Sequence, residues 1–170
     1  MSNTTFFRTR KQGAASIVAA LAALILVAQA TTAATWKGLE PFVSRRTEVE
    51  RVLGAPVEDR MSESASLRFN VSGGVVTVFF VTAKFVETKK LDPQLEGTVL
   101  QIVLQHERAA DTPESMSLVK DKAYQHSSNK EVDVYLNSKE GISYTFVEGK
   151  LKTTRYVYAS AQLAHLGRKG

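Results

Sequence analysis

The chain has 170 residues, no cysteine and a formal net charge of +5. Its length suits one domain once the N-terminus is set aside. The missing cysteines exclude a thiol nucleophile, thiolate metal sites and a disulfide scaffold. Much of the positive charge sits at the start. Arg8, Arg10 and Lys11 precede the apolar run from Ser16 to Ala28, and small residues follow. Residues 1–34 therefore read as a secretory signal, cleaved after Ala28-Gln29-Ala30 or Thr32-Ala33-Ala34. Lipoprotein processing is excluded, because it needs a cysteine. The alternative is an uncleaved membrane anchor over residues 13–34. Without the three basic residues of the leader, 19 Lys and Arg face 17 Asp and Glu, a net charge of +2. That balance carries no nucleic-acid signature.

Residues 39–56 hold the most readable element, a short helix over about 44–53. Ser44 is a candidate N-cap, and Thr47 with Glu50 is a rival capping box. Val49, Val52 and Leu53 share one face at i, i+3, i+4. Gly54 suits a left-handed closing residue, and Pro56 stops continuation. Such a helix is too short to stand alone, so its apolar stripe must dock on a sheet.

After a polar connector (57–63), Ala65 to Val71 alternates as a strand, and Ser72-Gly73-Gly74 turns. Val75 to Phe85 reads as a second strand, apolar on both faces at first. Residues 87–97 read as a charged loop in which Lys84, Lys89 and Lys90 lie close together. Thr98 to Gln105 is a third strand. A second short helix is expected near 115–124, and residues 125–130 read as a polar loop. Val132 to Leu136, Ile142 to Phe146 and Leu151 to Tyr158 complete the strands. Ser160 can cap a final turn through Leu166, and 167–170 form a tail. The connections are hairpin-sized, so the sheet should be largely antiparallel, with about five or six strands. The expected fold is α+β, one domain over 35–166.

The pattern Ser44-x-x-x-x-Val49-x-x-Val52-Leu53-Gly54-x-Pro56 ahead of strands resembles the outer-membrane assembly lipoproteins of the SmpA/OmlA type. It is also similar to β-lactamase-inhibitor-protein-like domains. The run from Trp36 to Pro56, with Gly141, Ile142, Tyr144 and the later Tyr156-x-Tyr158, is similar to small exported bacterial proteins of unassigned function. The resemblance implies a helix packed on an antiparallel sheet. It carries over no functional residue, and the chain lacks the cysteine of the lipoproteins.

Chemistry-bearing motifs are sparse. His106, His126 and His165 lack metal-ligand spacing. His106-Glu107 opens like a zinc-protease motif, but Ala110 stands where the second histidine belongs. No Gly-x-Ser-x-Gly elbow or phosphate loop is present, and the carboxylates suggest no hydrolytic pair. The expectation is therefore no catalytic, cofactor-binding or metal residue. Tyr135, Tyr156 and Tyr158 are the candidate partner surface, as an exposed aromatic strip. The chain is expected to be exported, periplasmic or secreted. It is expected to act as a non-catalytic domain binding an unknown protein or envelope component. A small hydrolase built on His106 and a carboxylate is one alternative, and a membrane-anchored envelope protein is the other. Any site is expected on the sheet face away from Val49, Val52 and Leu53.

Overall fold

The computed structural model describes residues 33–166, all within the unit Thr31–Gly170. The expected signal or anchor, apart from Ala33 and Ala34, and the tail 167–170 lie outside the described residues. No helix among the described residues is long and apolar enough to cross a membrane.

The fold is α+β, with one antiparallel sheet of eight strands. The strands form two four-stranded meanders. The first comprises β1 (Glu58–Arg60), β2 (Ser66–Val71), β3 (Gly74–Phe80) and β4 (Val99–His106). The second comprises β5 (Gln125–Asn129), β6 (Val132–Asn137), β7 (Ile142–Val147) and β8 (Lys150–Val157). They join side by side through an antiparallel β4–β8 pairing, in the order β1-β2-β3-β4-β8-β7-β6-β5.

The count exceeds the expected five or six strands because both edges are polar. β1 came out of the stretch expected as a connector, with the one-turn helix α2 (Met61–Ser64) after it, and β5 out of the stretch expected as a loop. All five residues of β5 are exposed, so no apolar alternation marks it as a strand. The second apolar run is also shorter than expected. β3 stops at Phe80, and helix α3 (Ala83–Lys89) follows. The Thr82 side chain caps α3 by accepting from the Phe85 N–H at 3.2 Å. No helix spans 115–124. That stretch holds only a 3-10 turn at Leu118–Lys120, after a left-handed Ser117.

Helix α1 covers Arg46–Leu53, two residues shorter than expected at its start. Neither expected cap acts as one. Arg45 takes the N-cap position with no side-chain bond. Ser44 is buried, and its Oγ accepts from the Glu40 N–H at 3.1 Å, backwards along the chain. Thr47 lies inside the helix, and Glu50 pairs with Arg46 at 2.8 Å instead of closing a capping box. Gly54, at φ 84°, closes the helix by donating to the Glu50 carbonyl at 2.9 Å.

Pairing registers sort every strand residue onto one of two faces, because residues opposite each other across a ladder share a face. One row runs Leu67, Val78, Ile102, Tyr156, Ile142 and Asn137. The next runs Phe69, Val76, Leu104, Thr154, Tyr144 and Tyr135. This face is covered. Over the first meander, Val49 of α1 is fully buried, with Leu39, Leu67, Phe69, Val76, Val78 and Ile102. Val52 and Leu53 pack on the same cluster, as their spacing requires. Over the second meander the cover is the irregular stretch between β4 and β5. There Leu118, Met116 and Tyr124 meet Tyr135, Phe146 and Leu151. A third cluster joins Phe42, Val81, Val86, Leu91 and Leu95. Leu163 and Leu166 of the terminal helix α4 (Ser160–Leu166) pack against it.

Candidate functional site

The other sheet face is open among the described residues. One of its rows runs Glu58, Arg68, Thr77, Val103, Arg155, Ser143 and Leu136 across seven strands. A second runs Arg60, Ser66, Phe79, Gln101 and Val157. These rows place Arg60, Arg68 and Arg155 against one acid, Glu58. Most of their side chains are half-buried, and Arg155 and Arg60 are exposed. None of them belongs to the three buried hydrophobic clusters.

Two depressions mark this face. The larger, about 410 Å³, lies at the β1 edge, lined by Glu58, Arg60, Arg68, Ser66, Thr77 and Phe79 among others. Its charges form one cluster. The Glu58 carboxylate accepts from Arg68 Nη1 at 3.1 Å through one oxygen. It also meets Arg60 Nη2 at 2.9 Å through the other. The Ser64 and Ser66 hydroxyls bond each other at 2.8 Å at the same edge. The smaller depression, about 320 Å³, is mainly apolar. Phe85, Leu100, Leu136, Val157 and Tyr158 line it, with Gln101.

The expected tyrosine strip is corrected by the register. Tyr135 and Tyr156 lie on the face away from Val132 and Val134, but it is the covered face, and Ile142, expected away from the tyrosines, shares it as the partner of Tyr156. Tyr135 is 5% exposed, stacked on His126 at 4.4 Å and edge-on to Phe146 at 5.8 Å. Tyr156 packs on the cluster under α1, and Tyr158 stacks on Phe42 at 4.9 Å in the third cluster. The three rings thus belong to three clusters. Burial raises the Tyr135 and Tyr156 phenols above their ordinary value, and pushes the neighbouring Tyr144 up to about 12.

The histidines stand apart. His106 Nε2 lies 2.9 Å from the Thr154 hydroxyl, and Thr154 is 4% exposed, on the covered face. Partial burial lowers the His106 pKa, and the charge of Asp111 opposes that shift. His106 lines a third cavity, about 240 Å³, with Trp36, Lys37 and the β2–β3 turn. His126 Nε2 meets Asp133 Oδ1 at 2.8 Å. That hydrogen bond, with a second from Ser128, holds the Asp133 carboxyl below its usual value. His165 is exposed on α4. Among the described residues no three His, Asp or Glu side chains group as metal ligands.

The Glu58–Arg60–Arg68 cluster was missed in the sequence because its strand was. Glu58 and Arg60, two apart, share a face only if residues 58–60 are extended. The run of three charged residues Glu58-Asp59-Arg60 carried no apolar alternation to mark it as a strand. The extended run sends Asp59 to the opposite side, where its carboxylate meets Arg46 of α1 at 2.8 Å.

No family model matches the chain, and no curated protein matches it. A solved structure of a DUF4309 family protein (YjgB) from Bacillus subtilis subsp. subtilis str. 168 is similar, at 11% identity and a TM-score of 0.49. The match covers 71% of this chain and 82% of that chain. Its description names a bacterial DUF4309 protein, not a SmpA/OmlA lipoprotein or an inhibitor protein.

Proposed function

We propose that this chain is an exported, non-catalytic interaction domain that binds an envelope component on its open sheet face. One observation carries the reading: α1 and the 107–124 segment pack on one face of an eight-stranded sheet, while the residues of the two rows on the other face join none of the three buried clusters. A half-buried, mixed polar and apolar sheet face of this breadth is a ready contact surface. Its arginine excess favours an acidic or anionic partner.

A photo-cross-linking residue at Val103, in the middle of the open face, tests this in the native host. Envelope adducts are expected from that position. None are expected from Val119, which is 56% exposed but lies in the cover of the opposite face. Equal yields from both positions, or none from Val103, would overturn the reading. Export has its own test. Ala33 is buried and the Ala34 N–H donates to the Glu140 carbonyl at 2.7 Å, so cleavage after Ala30 keeps this tie and cleavage after Ala34 removes it. An intact mass beginning at Thr31 is expected, and an uncleaved mass would return the chain to the anchored alternative.

A further inference from the structure

The two depressions of the open face are not independent. Arg60, Ser66 and Phe79 line the cationic one, Gln101 and Val157 line the apolar one, and these five residues are consecutive partners across one row. Four interstrand steps of about 4.8 Å separate Arg60 from Val157, so the row spans roughly 19 Å. One end offers two guanidinium groups. The other offers Phe85, Leu100, Leu136, Val157 and Tyr158. Taken as one groove, the row is cationic at one end and apolar at the other, and matches a molecule of opposite design.

We propose that this groove binds a single-chain amphiphile with a carboxylate head, of the fatty-acid class. The proposal rests on the open-face reading above and names its ligand. The head chemistry is already displayed within the protein. Glu58 puts one carboxylate oxygen on Arg68 and the other on Arg60, so the two guanidiniums are spaced for a bridging carboxylate. The Glu58 side chain and both arginines are at least one-third exposed, and surface pairs of this kind are weak. A ligand carboxylate can therefore take the place of Glu58, which swings to solvent. The tail then follows the row over Phe79 and past Gln101 to Val157, burying apolar surface that water now covers. Glu58 acts as a built-in competitor that holds the arginines ready.

Titration of the full chain with dodecanoate below its micelle threshold, followed by calorimetry, tests the proposal. One equivalent is expected to bind, while acetate and dodecyltrimethylammonium do not. Replacing both arginines (R60A/R68A) should weaken dodecanoate by about tenfold or more, since each loses a charge-assisted bond. The E58Q variant should bind up to about fivefold tighter, because the internal competitor is gone. The V157D variant should weaken hexadecanoate, whose extended chain matches the roughly 19 Å row, more than the shorter dodecanoate. If V157D fails to fold by circular dichroism, the gain in E58Q and the dependence on chain length decide. Unchanged affinity in R60A/R68A, equal binding of acetate, or uptake only of micelles or vesicles would overturn the proposal. If Val103 cross-links an envelope macromolecule while dodecanoate does not bind, the amphiphile falls and the open-face reading stands.

Discussion

The two meanders have the same strand plan and different covers. β1–β4 lie under a helix, and the cluster they share with it is mostly aliphatic: Leu67, Val76, Val78, Val99 and Ile102 around Val49. β5–β8 lie under an irregular segment, and half of their cluster is aromatic: Tyr124, Tyr135, Tyr144 and Phe146 beside Leu118, Leu151, Met116 and Ala109. The difference has a packing cause. A helix presents a continuous apolar stripe, so branched aliphatic side chains can interdigitate with it. A loop presents few side chains and several backbone polar groups. Large rings fill the wider gap, and their hydroxyls satisfy polar neighbours. In the irregular cover the Leu151 N–H donates to the Asp111 carbonyl at 3.0 Å, tying loop to sheet by backbone rather than side chain.

The largest expected effect asks whether the halves are one cooperative unit. Phe69 and Phe146 are fully buried, one in each cluster. Truncating either (F69A or F146A) should cost about 3–5 kcal/mol. Because β4 pairs with β8 along five residues, both variants should shift a single urea transition to a similar degree. Two transitions, with F146A moving only the weaker, would show instead that the loop-covered half unfolds on its own.

A smaller effect sharpens the correspondence between the halves. Gly74 begins β3 beside β4, and Gly141 precedes β7 beside β8. A Cβ added at Gly74 would lie 1.9 Å from the Gln105 carbonyl oxygen, and one at Gly141 would lie 2.2 Å from that of Val157. Both obstacles are backbone, so the strands must part. Each alanine variant should lose about 1–3 kcal/mol by thermal unfolding. G74A should lose the more, since its obstacle is the nearer and both glycines hold a positive φ, +157° and +69°, that disfavours a side chain. A larger loss in G141A would mean that the backbone conformation, not the close approach, sets the cost.

The covers also explain what the sequence disclosed. Val49, Val52, Leu53 and Gly54 announced α1 because a helix writes its docking face at a fixed period. The inner strands were legible for the same reason, with a period of two. The cover of the second half has no period, and Leu118 and Met116 suggested a helix that does not form. The edges were hidden by exposure: Gln125 to Asn129 is polar throughout, and pairing with β6 alone makes it a strand. The end of β3 was misread because Phe85 and Val86 prolong an apolar run, while the Thr82 cap and the left-handed Lys90 that bound α3 are local signals. The face away from α1 was expected to hold any site, by elimination from the helix face. The Arg60–Glu58–Arg68 cluster there was not expected, because it exists only through the β1–β2 register.

The smallest effect separates the halves by pH. At the end of β4, burial lowers the His106 pKa below its ordinary 6.5. The folded state resists a proton that the unfolded chain accepts. Stability from this group is therefore complete above about pH 6.5 and is lost as the pH falls toward the lower folded value. In the second half, hydrogen bonds from His126 and Ser128 hold the Asp133 carboxyl below its ordinary 3.8. Its contribution is present above that value and is lost only as the pH falls further. Two windows follow. Replacing His106 with asparagine should flatten the urea midpoint just below about pH 6.5, leaving the more acidic limb unchanged. Replacing Asp133 with asparagine should flatten the acidic limb alone. If H106N leaves the upper window intact, proton uptake there belongs to another group, and the half under α1 titrates no differently from the half under the loop.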